Sequence, residues 1–331
     1  MIGTIAIIGR GGMARAHAAA WREIGLGDQV RYVCAPHPGA GLEDAPAARS
    51  VTDLDDVLGD PAVDIVSVCT PTPTHADIAI RSLIAGKNVL LEKPIALTLP
   101  DAFAIRDVAE QSAGILMVAH VVRFFDGYLA LRELVDAGEL GRVLTVRAQR
   151  ISAAPGPSSW WHDESKSGGE LVDFSIHDFD QLNLFLGRPL MAAARRPRPD
   201  GPTEVSVEYE EGGSGHVLGF MGMPAGFSFA SSLELLGSLG LAEHHFAGEL
   251  RASASPSGND IYRVVTPDVV ETRTIGAGNP YARQAAYFLE CVRTGAEPAF
   301  CSTDSAVSAL AVSLAAREAL ATGRPVQVRS T

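Results

Sequence analysis

Residues 167–187 carry the side chains of this sequence that are best suited to acid–base chemistry. Asp173, His177 and Asp180 are spaced by four and three residues, so on a helix they would share one face. The apolar residues of the segment form a separate stripe, which is the expected core face: Ile176, Phe179, Leu182 and Leu186. We therefore predict a helix over 174–186 that presents these polar groups together.

This spacing has three interpretations. The simplest is a solvated polar face with a surface histidine. Two carboxylates and a histidine also suit Zn²⁺ or Mn²⁺, but His162 is the nearest further ligand in the sequence, and we expect no metal. The third is proton transfer, because histidine can remove the hydroxyl proton of an alcohol near neutral pH while a carboxylate orients it.

A lysine supports the third interpretation. The apolar run Val89–Leu91 ends in Glu92-Lys93-Pro94, although a buried strand has no packing reason to finish on adjacent charges. A lysine at the carboxyl end of a parallel strand faces the crevice where a nicotinamide binds. Its charge can stabilise a developing alkoxide. These residue types point to hydride transfer to or from a secondary alcohol.

Strand and helix signals alternate over the first 120 residues and predict a parallel, doubly wound α/β sheet. The predicted strands are Thr4–Ile8, Val30–Cys34, Ile65–Cys69, Asn88–Glu92 and Ile115–His120. After a helix at Gly127–Ala137, segments with a period of two residues predict a mostly antiparallel sheet and a second, α+β domain. These segments are Val143–Gln149, Glu204–Gly212, Gly215–Met221 and Phe227–Leu236. Two Ala-rich helices, within 280–295 and 303–322, are expected to close the chain.

A glycine-rich turn follows the first predicted strand. Gly9-x-Gly11-x-x-Ala14 would allow a tight turn, close approach of a pyrophosphate and close helix–strand packing. The second strand ends in Ala35 and His37, where a carboxylate that holds the adenosine ribose is expected. Its absence removes a repulsion against the 2′-phosphate of NADP, with Arg10 and Arg15 as candidate partners. The choice between NAD and NADP stays open.

Charge and composition exclude several classes of function. The net charge of −12 disfavours nucleic acid and anionic membranes as partners, and the basic run Arg195–Pro199 is expected to be a solvated loop. Cys34 and Cys69 lie in apolar runs and are expected to be reduced, packed thiols. No apolar run of about 18 uncharged residues predicts a membrane span, and the N-terminus lacks the basic segment of a signal peptide. We expect a cytoplasmic protein.

Three motifs in this order resemble the Gfo/Idh/MocA family, that of glucose–fructose oxidoreductase and inositol dehydrogenase. They are the glycine turn, Glu92-Lys93-Pro94, and Gly168-Gly169 followed by Asp173, His177 and Asp180. The similarity extends over essentially the whole chain. It includes TPTPTHADIAI at 70–80, HVVRFFDGY at 120–128, and the closing segments at 279–300 and 316–328.

The resemblance implies a Rossmann domain over residues 1–122 and a substrate-binding and oligomerisation domain over 123–331. The second domain is built on an open, mostly antiparallel sheet that forms a homodimer or homotetramer contact, with helices in 280–323 packing back on the Rossmann domain. NAD or NADP is the implied cofactor, and its binding residues are Gly9, Gly11, Gly12, Met13, Ala35, His37, Thr70, Pro71, His75, Glu92 and Lys93.

The implied reaction interconverts a secondary hydroxyl and a ketone on a sugar, sugar derivative or cyclitol. Lys93 would bind the reacting oxygen, His177 would transfer its proton, and Asp173 would orient His177 or bind a neighbouring hydroxyl. The implied substrate-binding residues are Arg123, Trp160, Trp161, His162, Asp173, His177 and Asp180, although packing roles for Trp160 and Trp161 fit equally. Glu170 departs from the family pattern, in which a third glycine is frequent.

Two alternatives remain. Within the same resemblance, the cofactor would be oxidised and reduced transiently during glycoside cleavage or epimerisation. In a different class, the protein would be a nucleotide-binding sensor without turnover, which has no need of Lys93, Asp173 and His177 together.

Overall fold

The computed structural model describes residues 3–37, 39, 41–156, 159–249, 256–276 and 278–329. Its contacts group into two compact units. One lies within Met1–Val121 and Asn279–Ala306, and the other within Val122–Leu250, Pro256–Gly278 and Val307–Thr331. The division into domains at residue 122 stays a prediction.

Among the described residues of the first unit, six strands form one parallel sheet in the order β3-β2-β1-β4-β5-β6. The strands are β1 (Thr4–Ile8), β2 (Val30–Cys34), β3 (Arg49–Val51), β4 (Val63–Val68), β5 (Asn88–Glu92) and β6 (Leu116–Ala119). The connecting helices are α1 (Gly12–Glu23), α2 (Asp55–Leu58), α3 (His75–Ile84) and α4 (Leu99–Gln111). The strand order reverses between β1 and β4, so ligands are expected at the carboxyl ends of the strands there. The predicted doubly wound fold is confirmed.

In the part of the second unit that the structure describes, nine strands form a mixed sheet in the order β14-β13-β12-β11-β7-β10-β9-β8-β15. In chain order, the first five strands of this sheet are β7 (Val143–Ala153), β8 (Pro189–Arg195), β9 (Thr203–Tyr209), β10 (Ser214–Met223) and β11 (Phe229–Gly237). The others are β12 (Leu241–Glu249), β13 (Ser257–Val265), β14 (Val270–Thr274) and β15 (Val326–Gln327). Of the described pairs, β7 with β10 is parallel and the rest are antiparallel, which confirms the predicted mostly antiparallel sheet.

Helices pack on one face of this sheet: α5 (Asp126–Asp136) lies against β12 and β13, and α7 (Ile176–Leu186) against β7 and β10. The one-turn helix α6 (Glu164–Ser167) precedes α7. The opposite face is exposed, as β9 illustrates: Val205 and Val207 are buried on the helix side, whereas Ser206 is exposed on the other. This alternation is the pattern of a sheet with one solvated face.

The segment before α7 differs from the predicted continuous α-helix. Glu170–Phe174 is a π-helical turn, and α7 begins at Ile176. Asp173 therefore lies outside the α-helix that carries His177, so its predicted place on one α-helical face with His177 and Asp180 is wrong. The predicted core stripe of α7 is buried as expected: Ile176, Phe179, Leu182 and Leu186.

The basic run at 195–199 is also not a simple solvated loop. Arg195 is the last residue of β8 and pairs with Glu204 on β9. Arg196 donates to Glu170 at 3.2 Å and to the hydroxyl of Thr203. Arg198 pairs with Asp200 at 3.2 Å. The run is thus partly strand, and carboxylates pair with all three of its arginines.

The closing helices are α8 (Pro280–Thr294) and α9 (Thr303–Thr322). Asn279 caps α8 by accepting hydrogen bonds from the amides of Tyr281 and Ala282, and its side-chain amide donates to Glu23 at the end of α1. From Val307 onward, α9 groups with the second unit. Within the described ranges, Ala299–Thr322 is long and apolar enough to cross a membrane, but 56% of its apolar window is buried in the protein, as in a core helix.

Candidate functional site

The glycine turn after β1 has the geometry expected of a phosphate-binding loop. Gly9 has φ +121°, and a Cβ there would lie 2.5 Å from the carbonyl oxygen of Cys69, so only glycine fits. A Cβ on Gly11 or Gly12 would meet no described atom within 4 Å, which leaves open space above the turn. Among the described side chains none caps α1, and its first turn contains no acid. The start of α1 can therefore hold an anion.

The tip of β2 lacks a carboxylate. Ala35 is buried, and Pro36 and His37 are exposed. Arg10 reaches this region from the glycine turn: its guanidinium donates to the carbonyl of Gly39 at 3.1 Å and to the hydroxyl of Ser50. A guanidinium therefore lies close to the tip of β2.

Glu92 is a buried anchor at the tip of β5. One carboxylate oxygen pairs with Nε2 of His17 at 3.0 Å, and the other accepts the backbone N–H of Lys93 at 3.2 Å. Glu92 is 4% exposed and His17 is 2% exposed, so α1 is joined to β5 through a buried ion pair. The His17–Glu92 pair therefore fixes the backbone at Lys93. The peptide bond between Lys93 and Pro94 is cis.

His17 is charged at neutral pH in this setting. Burial alone would lower its pKa, but the adjacent Cys69 and the Glu92 carboxylate outweigh burial and raise the pKa of His17 to about 10. Burial raises the pKa of the Cys69 thiol. The imidazolium is therefore part of the folded structure and not a group that changes its charge near pH 7.

His17→Gln is expected to make stability less dependent on pH. A folded-state pKa of about 10, against 6.5 in the unfolded chain, gives stability that is complete below pH 6.5 and is lost as the pH rises toward 10. The difference in unfolding free energy between wild type and His17→Gln should shrink by about 4 kcal/mol between pH 6 and pH 10. Urea unfolding at three pH values measures it.

Trp21→Phe is the matched control. Trp21 lies one turn further along α1 and donates a buried hydrogen bond to Ser67 on β4, at 3.1 Å. Its loss should lower stability by a similar amount at every pH. A difference for His17→Gln that is equally constant with pH would contradict the charged His17–Glu92 pair.

His75 fixes the loop after β5 from the other side. Its Nδ1 lies 2.8 Å from the carbonyl oxygen of Pro94, and its Nε2 lies 3.0 Å from that of Thr70. Burial lowers the pKa of His75 against the opposing effect of the two carbonyls, so the ring is neutral and donates to one of them. His75 thus joins two loops at the carboxyl ends of β4 and β5, where Thr70 and exposed Pro71 also lie.

In the second unit, Asp173 lies beside the short helical turn Trp160–His162. The indole N–H of Trp161 donates to Asp173 at 3.1 Å. Trp160 is 45% exposed, and exposed His162 lies 3.1 Å from the carbonyl of Gly156 through Nε2. Asp173, His177 and Trp161 are half-buried, which leaves part of each accessible to a ligand.

The two aspartates that follow His177 on α7, Asp178 and Asp180, are each buried in an ion pair with an arginine. Asp180 accepts two hydrogen bonds from Arg123, at 2.7 and 2.5 Å. Asp178 accepts three from Arg150 on β7, at 2.8 to 3.2 Å. All four side chains are at most 4% exposed. Arg123 and Asp180, which the sequence suggested as substrate-binding residues, are thus bound to each other, and their contact with substrate stays a prediction.

Sequence reasoning missed three supports of these residues: His17, the Arg150–Asp178 pair and the Glu170–Arg196 pair. The sequence carries no signal for these pairs, because their partners are separated by 75, 28 and 26 residues. In the described residues no group of three His, Cys, Asp or Glu is arranged to hold a metal ion.

Comparison with known proteins agrees with this arrangement. Residues 4–120 match the family model described as "Oxidoreductase family, NAD-binding Rossmann fold", and residues 128–243 match "GFO/IDH/MocA C-terminal domain". The scyllo-inositol 2-dehydrogenase (NAD(+)) of Bacillus subtilis is 30% identical over 82% of this chain and 80% of its own.

One further relative is named for the other cofactor, and one solved structure shows the same fold. A scyllo-inositol 2-dehydrogenase (NADP(+)) of the same organism is 28% identical over 46% of this chain and 42% of its own. A levoglucosan dehydrogenase, solved with NADH and L-sorbose, superposes with a TM-score of 0.84 at 22% identity and covers 98% of each chain, which shows a shared fold.

Proposed function

This chain belongs to the Gfo/Idh/MocA family of NAD(P)-dependent oxidoreductases acting on CH–OH groups, and from that premise we propose that it interconverts a secondary hydroxyl and a ketone on a sugar, sugar derivative or cyclitol in the cytoplasm. The observation that carries the proposal is Lys93. It follows β5 at the ligand edge of a dinucleotide-binding sheet, and Glu92, His17 and His75 hold its backbone there.

The residues of the chain have separate tasks in this proposal. When bound, the nicotinamide accepts a hydride from the alcohol or donates one to the ketone. Lys93 donates a hydrogen bond to the reacting oxygen and stabilises its negative charge. The half-buried imidazole of His177 takes the hydroxyl proton during oxidation and returns it during reduction. Asp173, already held by Trp161, orients His177 or binds a neighbouring hydroxyl of the substrate.

The cofactor fits the residues that are present. The open space above Gly11 and Gly12 and the uncapped start of α1 suit a pyrophosphate, as the described part of the turn shows no side chain there. Thr70, Pro71, His75 and Met13 lie on the same edge of the first sheet. We assign Gly9, Met13, Thr70 and Pro71 to cofactor binding. His75 and Glu92 are buried and bonded within the protein, so they position the loops, and their direct contact with the cofactor stays a prediction, as does that of Lys93.

His177→Asn tests the proton-transfer role. We expect turnover to fall by roughly 10²- to 10⁴-fold, because proton transfer loses its catalyst. Cofactor binding, followed by thermal shift, should be unchanged. Glu133→Gln is the control, since Glu133 is exposed on α5 of the same unit. Turnover of His177→Asn within a few-fold of the control would remove His177 from the mechanism.

We also propose that the exposed face of the nine-stranded sheet joins copies of this chain in a homodimer or homotetramer. Leu236 and Ile261 are 39% and 41% exposed, and both lie on that face. Arg147 pairs with Glu234 across the same face. Burying these apolar side chains against a second copy removes them from water.

Ile261→Arg is expected to lower the mass measured by light scattering after size-exclusion chromatography from that of an oligomer toward that of a single chain. A charge at this position must be desolvated in the contact. Ile84→Arg provides the control, because Ile84 is 73% exposed at the end of α3 in the first unit. A single-chain mass for the wild type, or an unchanged oligomer in Ile261→Arg, would contradict the assigned face.

A further inference from the structure

The tip of β2 is where a dinucleotide-binding sheet distinguishes NAD from NADP. A carboxylate there accepts hydrogen bonds from the 2′-hydroxyl of NAD and repels the 2′-phosphate of NADP. In this chain Cys34 ends the strand, Ala35 follows it, and Ala35 donates its backbone N–H to Val51 on β3. The alanine side chain at this position can neither accept a hydrogen bond from a 2′-hydroxyl nor repel a phosphate.

Arg10 supplies a positive charge at the same place. It stands between the two glycines of the turn, yet its side chain extends to the loop after β2 and to the second residue of β3. Its guanidinium donates to the carbonyl of Gly39 and to the hydroxyl of Ser50, both of which are neutral acceptors. A phosphate is a stronger acceptor for a guanidinium than either group, because both partners then carry charge. The Ser50 hydroxyl can donate to the same phosphate.

A second arginine lies next to the glycine turn. Arg15, in the first turn of α1, donates to the backbone carbonyl of Arg10 at 3.3 Å. Asp44 pairs with Arg22 at 2.9 Å, and Asp53 accepts the N–H of Asp55 at 2.9 Å. Arg10 and Arg15 together place two positive charges at the glycine turn.

We propose that this chain prefers NADP to NAD, with Arg10 and Ser50 binding the 2′-phosphate of the adenosine ribose. The inference rests on the proposed function, since it specifies the cofactor of the same site. On binding, the guanidinium of Arg10 exchanges its hydrogen bond to the carbonyl of Gly39 for one to the phosphate. The hydroxyl of Ser50 stays beside the guanidinium and donates to the same phosphate. Arg15 adds positive potential without a direct contact.

Binding measured by calorimetry tests this without turnover. The probes are NADP⁺, NAD⁺, adenosine 2′,5′-bisphosphate and AMP, and each of the two pairs differs by the 2′-phosphate alone. We expect NADP⁺ and the bisphosphate to bind at least about tenfold more tightly than NAD⁺ and AMP, because the pair of Arg10 with the 2′-phosphate adds one charge-assisted hydrogen bond. Arg10→Ala should remove this difference while changing the affinity for NAD⁺ and AMP by less than about threefold.

Arg31→Ala is the control of equal charge, because Arg31 is exposed near the other end of β2. It should keep the full preference. Arg10→Lys and Ser50→Ala, which make smaller changes at the same place, should each reduce the preference in part and guard against misfolding of Arg10→Ala. Equal or tighter binding of NAD⁺ by the wild type, or an equal loss for both cofactors in Arg10→Ala, would overturn the inference. Absence of binding by either dinucleotide would instead overturn the proposed function.

Discussion

Lys93→Met is expected to lower turnover by at least about 10²-fold, because the variant loses the positive charge that stabilises the alkoxide. Methionine keeps most of the length of the side chain and none of its charge. The backbone N–H of residue 93, which Glu92 accepts, is unaffected by the substitution. Cofactor affinity should therefore change by less than about threefold. Steady-state rates at 340 nm, with binding followed by thermal shift, measure the two quantities separately.

Lys87→Met is the matched control for this variant. Lys87 immediately precedes β5, at the end of the strand opposite Lys93, and its Nζ donates to the carbonyl of Asp60 at 2.8 Å. Its loss should affect stability and leave turnover within a few-fold. If Lys93→Met kept turnover similar to that of Lys87→Met, Lys93 would not contact the reacting oxygen.

Asp178→Ala is expected to lower the free energy of unfolding by about 3–5 kcal/mol, because a buried guanidinium loses its carboxylate. Arg150 is 4% exposed, donates three hydrogen bonds to Asp178, and lies over the rings of Phe174 and Phe229. Water does not replace the lost carboxylate in that setting. Since Asp178 is adjacent to His177, turnover should also fall. Urea denaturation measures the stability change.

Glu210→Ala separates burial from the mere loss of an ion pair. Glu210 pairs with Arg188 at 3.4 Å in the same unit, and both side chains are exposed to solvent. Removal of this surface pair should cost less than about 1 kcal/mol. Equal losses for Asp178→Ala and Glu210→Ala would mean that the Arg150–Asp178 pair does not hold α7 on the sheet.

The first sheet could be predicted almost residue by residue, because buried parallel strands appear as continuous apolar runs. The prediction of Asn88–Glu92 for β5 matches the structure. Strand β3 was missed, because only Val51 of its three residues is buried and no apolar run results. Strands β12 and β13 were missed for another reason: His244 and Asp260 pair at 2.5 Å on their buried face and replace the apolar residues that a pattern search needs.

In the candidate site, the residues proposed for chemistry could be predicted from the sequence, whereas the residues that hold them in place could not. Residue types and motif order pointed to Lys93, His177 and Asp173 without a structure. The supports could not be read from the sequence, because the pairs of Glu92 with His17 and of Asp178 with Arg150 join residues 75 and 28 positions apart. The π-helical turn at Glu170–Phe174 was hidden too, since its sequence fits an α-helical spacing equally well.

The most direct test of the central claim is the absorbance at 340 nm when the protein is mixed with NADP⁺ or NAD⁺ and a panel of polyols. The panel contains scyllo-inositol, myo-inositol, levoglucosan and common aldoses, with the corresponding ketones and the reduced cofactors for the reverse direction. We predict that at least one sugar or cyclitol gives cofactor reduction that Lys93→Met and His177→Asn lose. Cofactor binding without any absorbance change in either direction, for every compound, would contradict the assignment of this chain as a sugar or cyclitol oxidoreductase.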